Sequence, residues 1–147
     1  MKKLLISACL LGIPCRYDGR SVKAVDIERL AEKFELIPVC PEIYGGLPTP
    51  RTPSERVGDK TLMKDGRDVT ENYLRGAEAA YALCESLGCT LALLKERSPS
   101  CGKNKIYDGS FTGTLIDGEG VAAEYLRERG IKIFGESEIE ELLKEAN

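Results

Sequence analysis

The sequence predicts an α/β fold: a single domain of three layers, in which helices cover both faces of a mainly parallel sheet. Three observations predict it. Short apolar runs of strand length recur at Lys2 to Ala8, Phe34 to Val39, Cys89 to Leu94 and Ile131 to Phe134. Segments of helical period stand between them, so the order reads strand, helix, strand, loop, helix, strand, helix, strand, helix, the pattern of a Rossmann-like sheet. The 147 residues, 42% hydrophobic and 31% charged, suit one core, with no internal repeat, low-complexity tract or second domain.

Each element has its own warrant. Lys2 to Ala8 is an apolar run ending in small residues, as a buried first strand would be. Ile27, Leu30 and Ala31 fall at helical spacing within Asp26 to Lys33. Phe34 to Val39 is the second strand and stops at Cys40-Pro41. From 41 to 60, four prolines with Gly45 and Gly46 predict a loop without regular structure. A long helix follows, opened by Asp68 and Glu71 at capping-box spacing with Thr70 as a competing cap. Tyr73, Ala77, Ala80, Tyr81, Cys84 and Leu87 mark its apolar face, and Gly88 ends it. Cys89 to Leu94 is the third strand, Lys95 to Lys105 a polar loop, and Tyr107 to Leu115 a turn or irregular hairpin. Val121 to Glu128 is helical, Gly130 stops it, and Ile131 to Phe134 is the fourth strand. Ser137 and Glu140 form a second capping-box signature before a final helix, Ile139 to Ala146.

Composition then narrows the chemistry. No apolar run is long enough to span a bilayer. Met1-Lys2-Lys3 before Leu4-Leu5-Ile6 resembles the start of a secretory signal, but the stretch is short and runs into Cys9, Pro14 and Cys15 without a cleavage site. The expected location is cytoplasmic. The net charge of −3, with its acidic excess gathered after Ile116, offers no basic surface for nucleic acid. Six cysteines in such a chain are expected to be thiols, because the cytoplasm keeps them reduced. Histidine is absent, which removes the commonest general base and the commonest neutral metal ligand. Any metal would rest on thiolates or carboxylates.

Ligands in open α/β sheets bind beyond the carboxyl ends of the strands. Cys9 follows the first strand, Cys40 closes the second, and Cys101 lies in the loop after the third. A parallel sheet brings all three to one rim. Three thiolates without histidine suit an iron–sulfur cluster. On these residues alone other readings stay open: a structural zinc site with Cys15 as fourth ligand, a thiol redox pair of Cys9 and Cys15, or small buried hydrophobes. Cys84 and Cys89 are expected to pack in the core. Glu42, two residues after Cys40, is a candidate general acid or base. Ser98 is a candidate for orienting a substrate or relaying a proton. Arg16, Arg51 and Lys95 are candidates for holding an anion or carbonyl, and Ser7 and Ser100 join them as candidate substrate contacts.

Three long motifs, SACLLGIPCRYDG at 7–19, PVCPEIYGGLPTPR at 38–51 and LLKERSPSCG at 93–102, resemble the thiouracil desulfidase family, as does YDGSFTG at 107–113. The resemblance covers essentially the whole chain. It implies an oxygen-sensitive [4Fe-4S] cluster on Cys9, Cys40 and Cys101, with one iron open to the sulfur of a thiolated pyrimidine such as 4-thiouracil. Water would replace that sulfur, giving uracil and sulfide without net redox change. Glu42 and Ser98 match the family's catalytic glutamate and serine. The implied partner is a small thiolated base or nucleoside, rather than nucleic acid or a membrane.

Overall fold

A computed structural model of the chain describes residues 1–22 and 26–147. Four strands, β1 (Lys2–Ser7), β2 (Phe34–Val39), β5 (Leu91–Leu94) and β8 (Lys132–Gly135), form one parallel sheet in the order β2-β1-β5-β8. Between β2 and β5 lie helix α2 (Pro41–Tyr44), strands β3 (Ser54–Val57) and β4 (Lys60–Met63), and helix α3 (Thr70–Leu87). Strands β6 (Lys105–Tyr107) and β7 (Leu115–Asp117) pair antiparallel before helix α4 (Val121–Glu128). Helix α1 (Ile27–Lys33) precedes β2, and α5 (Ile139–Leu143) follows β8.

The layers follow from the two-residue period of the strands. Leu4 and Ile6 of β1, with Leu91 and Leu93 of β5, pack with Leu30 of α1 and Ile139 and Leu142 of α5. The alternate residues Leu5, Ala92 and Leu94 face the other way, onto Ala80 and Cys84 of α3 and Ala123 and Leu126 of α4. Strands apolar at every position, as in Leu91–Leu94, are therefore buried on both faces. No helix among the described residues is long and apolar enough to cross a membrane.

Several local expectations are corrected. The stretch from 41 to 60 is not free of regular structure. Pro41 takes the first position of α2, where its missing N–H costs nothing, and Ser54–Val57 pairs with Lys60–Met63 as a hairpin. Asp68 does not form a capping box with Glu71; its Oδ1 accepts from the Thr70 N–H at 2.9 Å and the Thr70 hydroxyl at 2.6 Å. Nor does Ser137 pair with Glu140. Glu140 is drawn across to Arg29 of α1 at 2.8 Å, while Glu138 reaches back to the Gly135 N–H at 2.9 Å. The last helix accordingly ends at Leu143 and tightens into a 3₁₀ turn over Lys144–Ala146.

The consequence for function is positional. Among the sheet strands the chain order reverses between β1 and β5, and a crevice opens beyond the carboxyl ends of strands at such a point.

Candidate active site

Each motif is delivered to that crevice by a different strand end. Cys9 lies in a 3₁₀ turn, Ala8–Leu11, directly after β1. Its carbonyl accepts from the N–H groups of Gly12 (3.2 Å) and Val22 (2.9 Å), folding the loop with Cys15 back over the strand end. Cys40 is the N-cap of α2, with Glu42 in the first turn. Cys101 follows β5, in a loop clamped from below by α4. The first N–H groups of that helix donate to the carbonyls of Pro99 (2.8 Å) and Ser100 (2.8 and 3.1 Å), which satisfies the helix end and fixes the loop. Gly120 permits the contact, because a Cβ there would lie 2.5 Å from the Ser100 carbonyl carbon.

One cavity of about 490 Å³ results, and every residue singled out from the sequence as ligand, catalytic group or substrate contact lines it. Cys84 and Cys89 do not; they sit in the core between α3 and the sheet. All six cysteines are free thiols.

The thiols form a coupled group. Cys101 is buried, and desolvation pushes its thiol up to about 12 despite a hydrogen bond from Ser7 that favours the thiolate. Cys40 is pushed up by its hydrogen bond with Cys15 and then by burial. Cys15 is pulled down by Cys40, but Cys9 and burial outweigh this and leave it raised. Burial and mutual hydrogen bonding thus favour the protonated form of Cys15, Cys40 and Cys101. No three His, Cys, Asp or Glu among the described residues close on a single-ion position.

Beside them runs a chain of polar contacts. Arg51 Nε donates to Glu42 Oε1 at 2.9 Å, with the two side chains only 3% and 13% exposed. The Ser100 hydroxyl donates to Glu42 Oε2 at 2.8 Å, so Ser98 is the donor in the 3.0 Å contact between the two serine hydroxyls. Ser98 Oγ in turn accepts from the N–H groups of Ser100 and Cys101, both at 3.1 Å. The order is thus Ser98, Ser100, Glu42, Arg51.

Other residues take more structural places. Arg51 spends its remaining donors largely on protein, on the Pro48 carbonyl (3.1 Å), Thr49 Oγ1 (3.0 Å) and the Cys15 carbonyl (2.9 Å), tying two cysteine loops together. Ser7 Oγ accepts from the Lys95 N–H at 2.9 Å and joins the ends of β1 and β5. The Lys95 ammonium pairs with Glu136 at 3.0 Å. Arg16 lies near the surface, 3.8 Å from Asp18 and stacked 5.7 Å from the Tyr17 ring centroid.

Residues that sequence reasoning passed over also line the cavity: Glu55, Tyr73 and Phe111. Tyr73 is fully buried, and burial, then the Glu42 charge, pushes its phenol up. A tyrosine among the Gly and Ala residues of the inner α3 face was the one available signal. Glu55 offered none, since an isolated Ser-Glu-Arg-Val reads as surface.

Comparison with known proteins agrees with this geometry. Residues 4–138 match the family model described as 2-thiouracil desulfurase. The uncharacterized protein YbbK of Bacillus subtilis (strain 168) is 37% identical over 95% of this chain and 99% of its own length. The solved structure of the [4Fe-4S]-dependent thiouracil desulfidase TudS superposes with a TM-score of 0.92 at 46% identity, covering 97% of this chain and 95% of that one. With the motifs converging on one cavity and the match spanning nearly every residue, the chain belongs to the 2-thiouracil desulfurase family.

Proposed function

We propose that this protein is a thiouracil desulfidase that exchanges the sulfur of a thiolated pyrimidine for the oxygen of water, at a [4Fe-4S] cluster held by Cys9, Cys40 and Cys101. The observation that carries the reading is the convergence of these three thiols and the Ser98–Ser100–Glu42–Arg51 chain on one cavity. The donor set fits a cluster: free thiols from three strand ends, no histidine, and the hydroxyl of Ser7 placed to stabilise sulfur anion at Cys101. When bound, the cluster would supply Lewis acidity, drawing charge from the substrate sulfur and leaving the ring carbon open to water.

The protein's own part is proton handling. Arg51 holds Glu42 Oε1, so Oε2 is the oxygen left for chemistry. There Glu42 takes a proton from the attacking water and returns one to the departing sulfur. Ser100 touches that oxygen directly, and Ser98 stands behind it at the half-buried end of the hydroxyl chain. The products are uracil and hydrogen sulfide. The exchange is hydrolytic, needs no electron partner, and suits a reducing cytoplasm.

The family description specifies 2-thiouracil, whereas the sequence motifs led to 4-thiouracil. Both are therefore offered to anaerobically reconstituted protein. Loss of thiocarbonyl absorbance with equal amounts of uracil and sulfide is expected for at least one. Fully iron-loaded protein that releases no sulfide from either overturns the proposal.

A further inference from the structure

Part of the cavity wall is built from the YDGSFTG segment, which joins β6 to β7 and sends Tyr107, Phe111 and Gly113 into the lining. This loop is held by Glu55. The Glu55 side chain comes from β3, the residue is 9% exposed, and its Oε1 accepts from the N–H groups of Gly109 (2.8 Å) and Phe111 (3.1 Å). Burying a carboxylate is costly unless it is well bonded, and here backbone N–H groups of one loop do the bonding. Phe111 itself sits at φ 58°, in the left-handed region that disfavours a bulky side chain. Such strain persists only where the surroundings over-determine it. A buried carboxylate and a strained backbone are thus combined to set the Phe111 ring in the wall of a cavity whose other aromatic lining residues, Tyr17, Tyr73 and Tyr107, each carry a hydroxyl.

Resting on the desulfidase reading, we propose that Phe111 is the residue that contacts the flat face of the pyrimidine, and that Glu55 is a positioning residue that holds it there. A planar heteroaromatic ring gains affinity by stacking on an aromatic side chain whatever its exocyclic atoms. Phe111 therefore fixes the ring, while the Glu42 side of the cavity handles its sulfur.

The test uses iron-loaded protein, with KM and kcat for the thiouracil that wild type accepts and the Kd of uracil, which has no sulfur to bind. Phe111→Gly relieves the backbone and removes only the ring. KM and the uracil Kd should rise about tenfold, with kcat and iron content near wild type. Glu55→Ala should show the same rise, and Glu55→Gln, whose amide oxygen still accepts both N–H groups, should restore wild-type values. Unchanged KM and Kd in Phe111→Gly overturn the assignment of Phe111. A Glu55→Gln protein as weak as Glu55→Ala overturns the positioning role. Wild-type protein with full iron and no turnover overturns the underlying reading, and this assignment with it.

Discussion

Gly76 is the position where one methyl group should undo the site from a distance. It lies inside α3, where the helix crosses α2, and a Cβ there would sit 1.8 Å from the Pro41 carbonyl oxygen and 2.7 Å from its carbon. Gly45 makes the reciprocal approach, its Cβ position being 2.0 Å from the Asn72 carbonyl oxygen. Helix propensity alone would make Gly76→Ala stabilising by about 1 kcal/mol. Overpacking opposes it, typically by about 1–3 kcal/mol, and here the obstacle is backbone with no side chain to swing aside. The helices must part by well over an ångström, so the upper range applies and the net should be about 2 kcal/mol of destabilisation. For a chain of this size that lowers Tm by about 4–8 °C. Because Pro41 stands between Cys40 and Glu42, the same shift displaces both, and a misplacement of about 1 Å can cost on the order of 10² in rate. Calorimetry, iron content after reconstitution and sulfide release measure the three effects. A Gly76→Ala protein with raised Tm and full activity would refute the close approach.

Three other outcomes follow from the same geometry. Replacing Cys9, Cys40 or Cys101 by Ser should abolish stable iron binding, whereas Cys89→Ala should leave iron content intact at a modest packing cost; full iron in Cys101→Ser would remove that cysteine from the ligand set. Ser100→Ala, which breaks the direct contact to Glu42, should lower the rate by more than Ser98→Ala does, and the reverse order would shift the proton-handling role to Ser98. Burial, then Cys89, pushes the Cys84 thiol from 9.0 up to about 12. Its stabilising contribution is complete below pH 9 and is lost as the pH rises towards 12, so Cys84→Ala should lose less stability across that interval than wild type does. Parallel stability curves would contradict this.

The central sheet was legible because its signals are local. Leu4 to Ile6 and Leu91 to Leu94 are apolar at every position, and only a strand covered on both faces has that requirement. The rim was legible for a related reason. A parallel sheet puts the residues after β1, β2 and β5 at one edge, so Cys9, Cys40 and Cys101 could be brought together without knowing their contacts. Hairpin β3–β4 escaped notice because Ser54–Val57 and Lys60–Met63 pair mainly with each other, and prolines on the amino-terminal side mask the pattern.

Side-chain partnerships were not legible. Arg51 read as a candidate for holding an anion or carbonyl, and that Glu42 and the Cys15 carbonyl are among its partners depends on loops folding back on one another. Glu55 meets the backbone of residues more than fifty positions away, which no local pattern encodes. Likewise Ser98 and Ser100 are equivalent in a motif, and only the fold shows that Ser100 is the one touching Glu42.

The central claim is that Glu42 moves protons over a site whose metal group rests on Cys9, Cys40 and Cys101. Glu42→Gln tests it most directly, since the amide keeps the shape and its one oxygen can still accept from Arg51, while the NH2 facing Ser100 cannot take up a proton. The measurement is anaerobic sulfide release from thiouracil, normalised to bound iron, for wild type and variant side by side. Iron content should match while the rate falls by on the order of 10²–10⁴. A Glu42→Gln protein that carries the same iron and turns over at the wild-type rate would contradict the account.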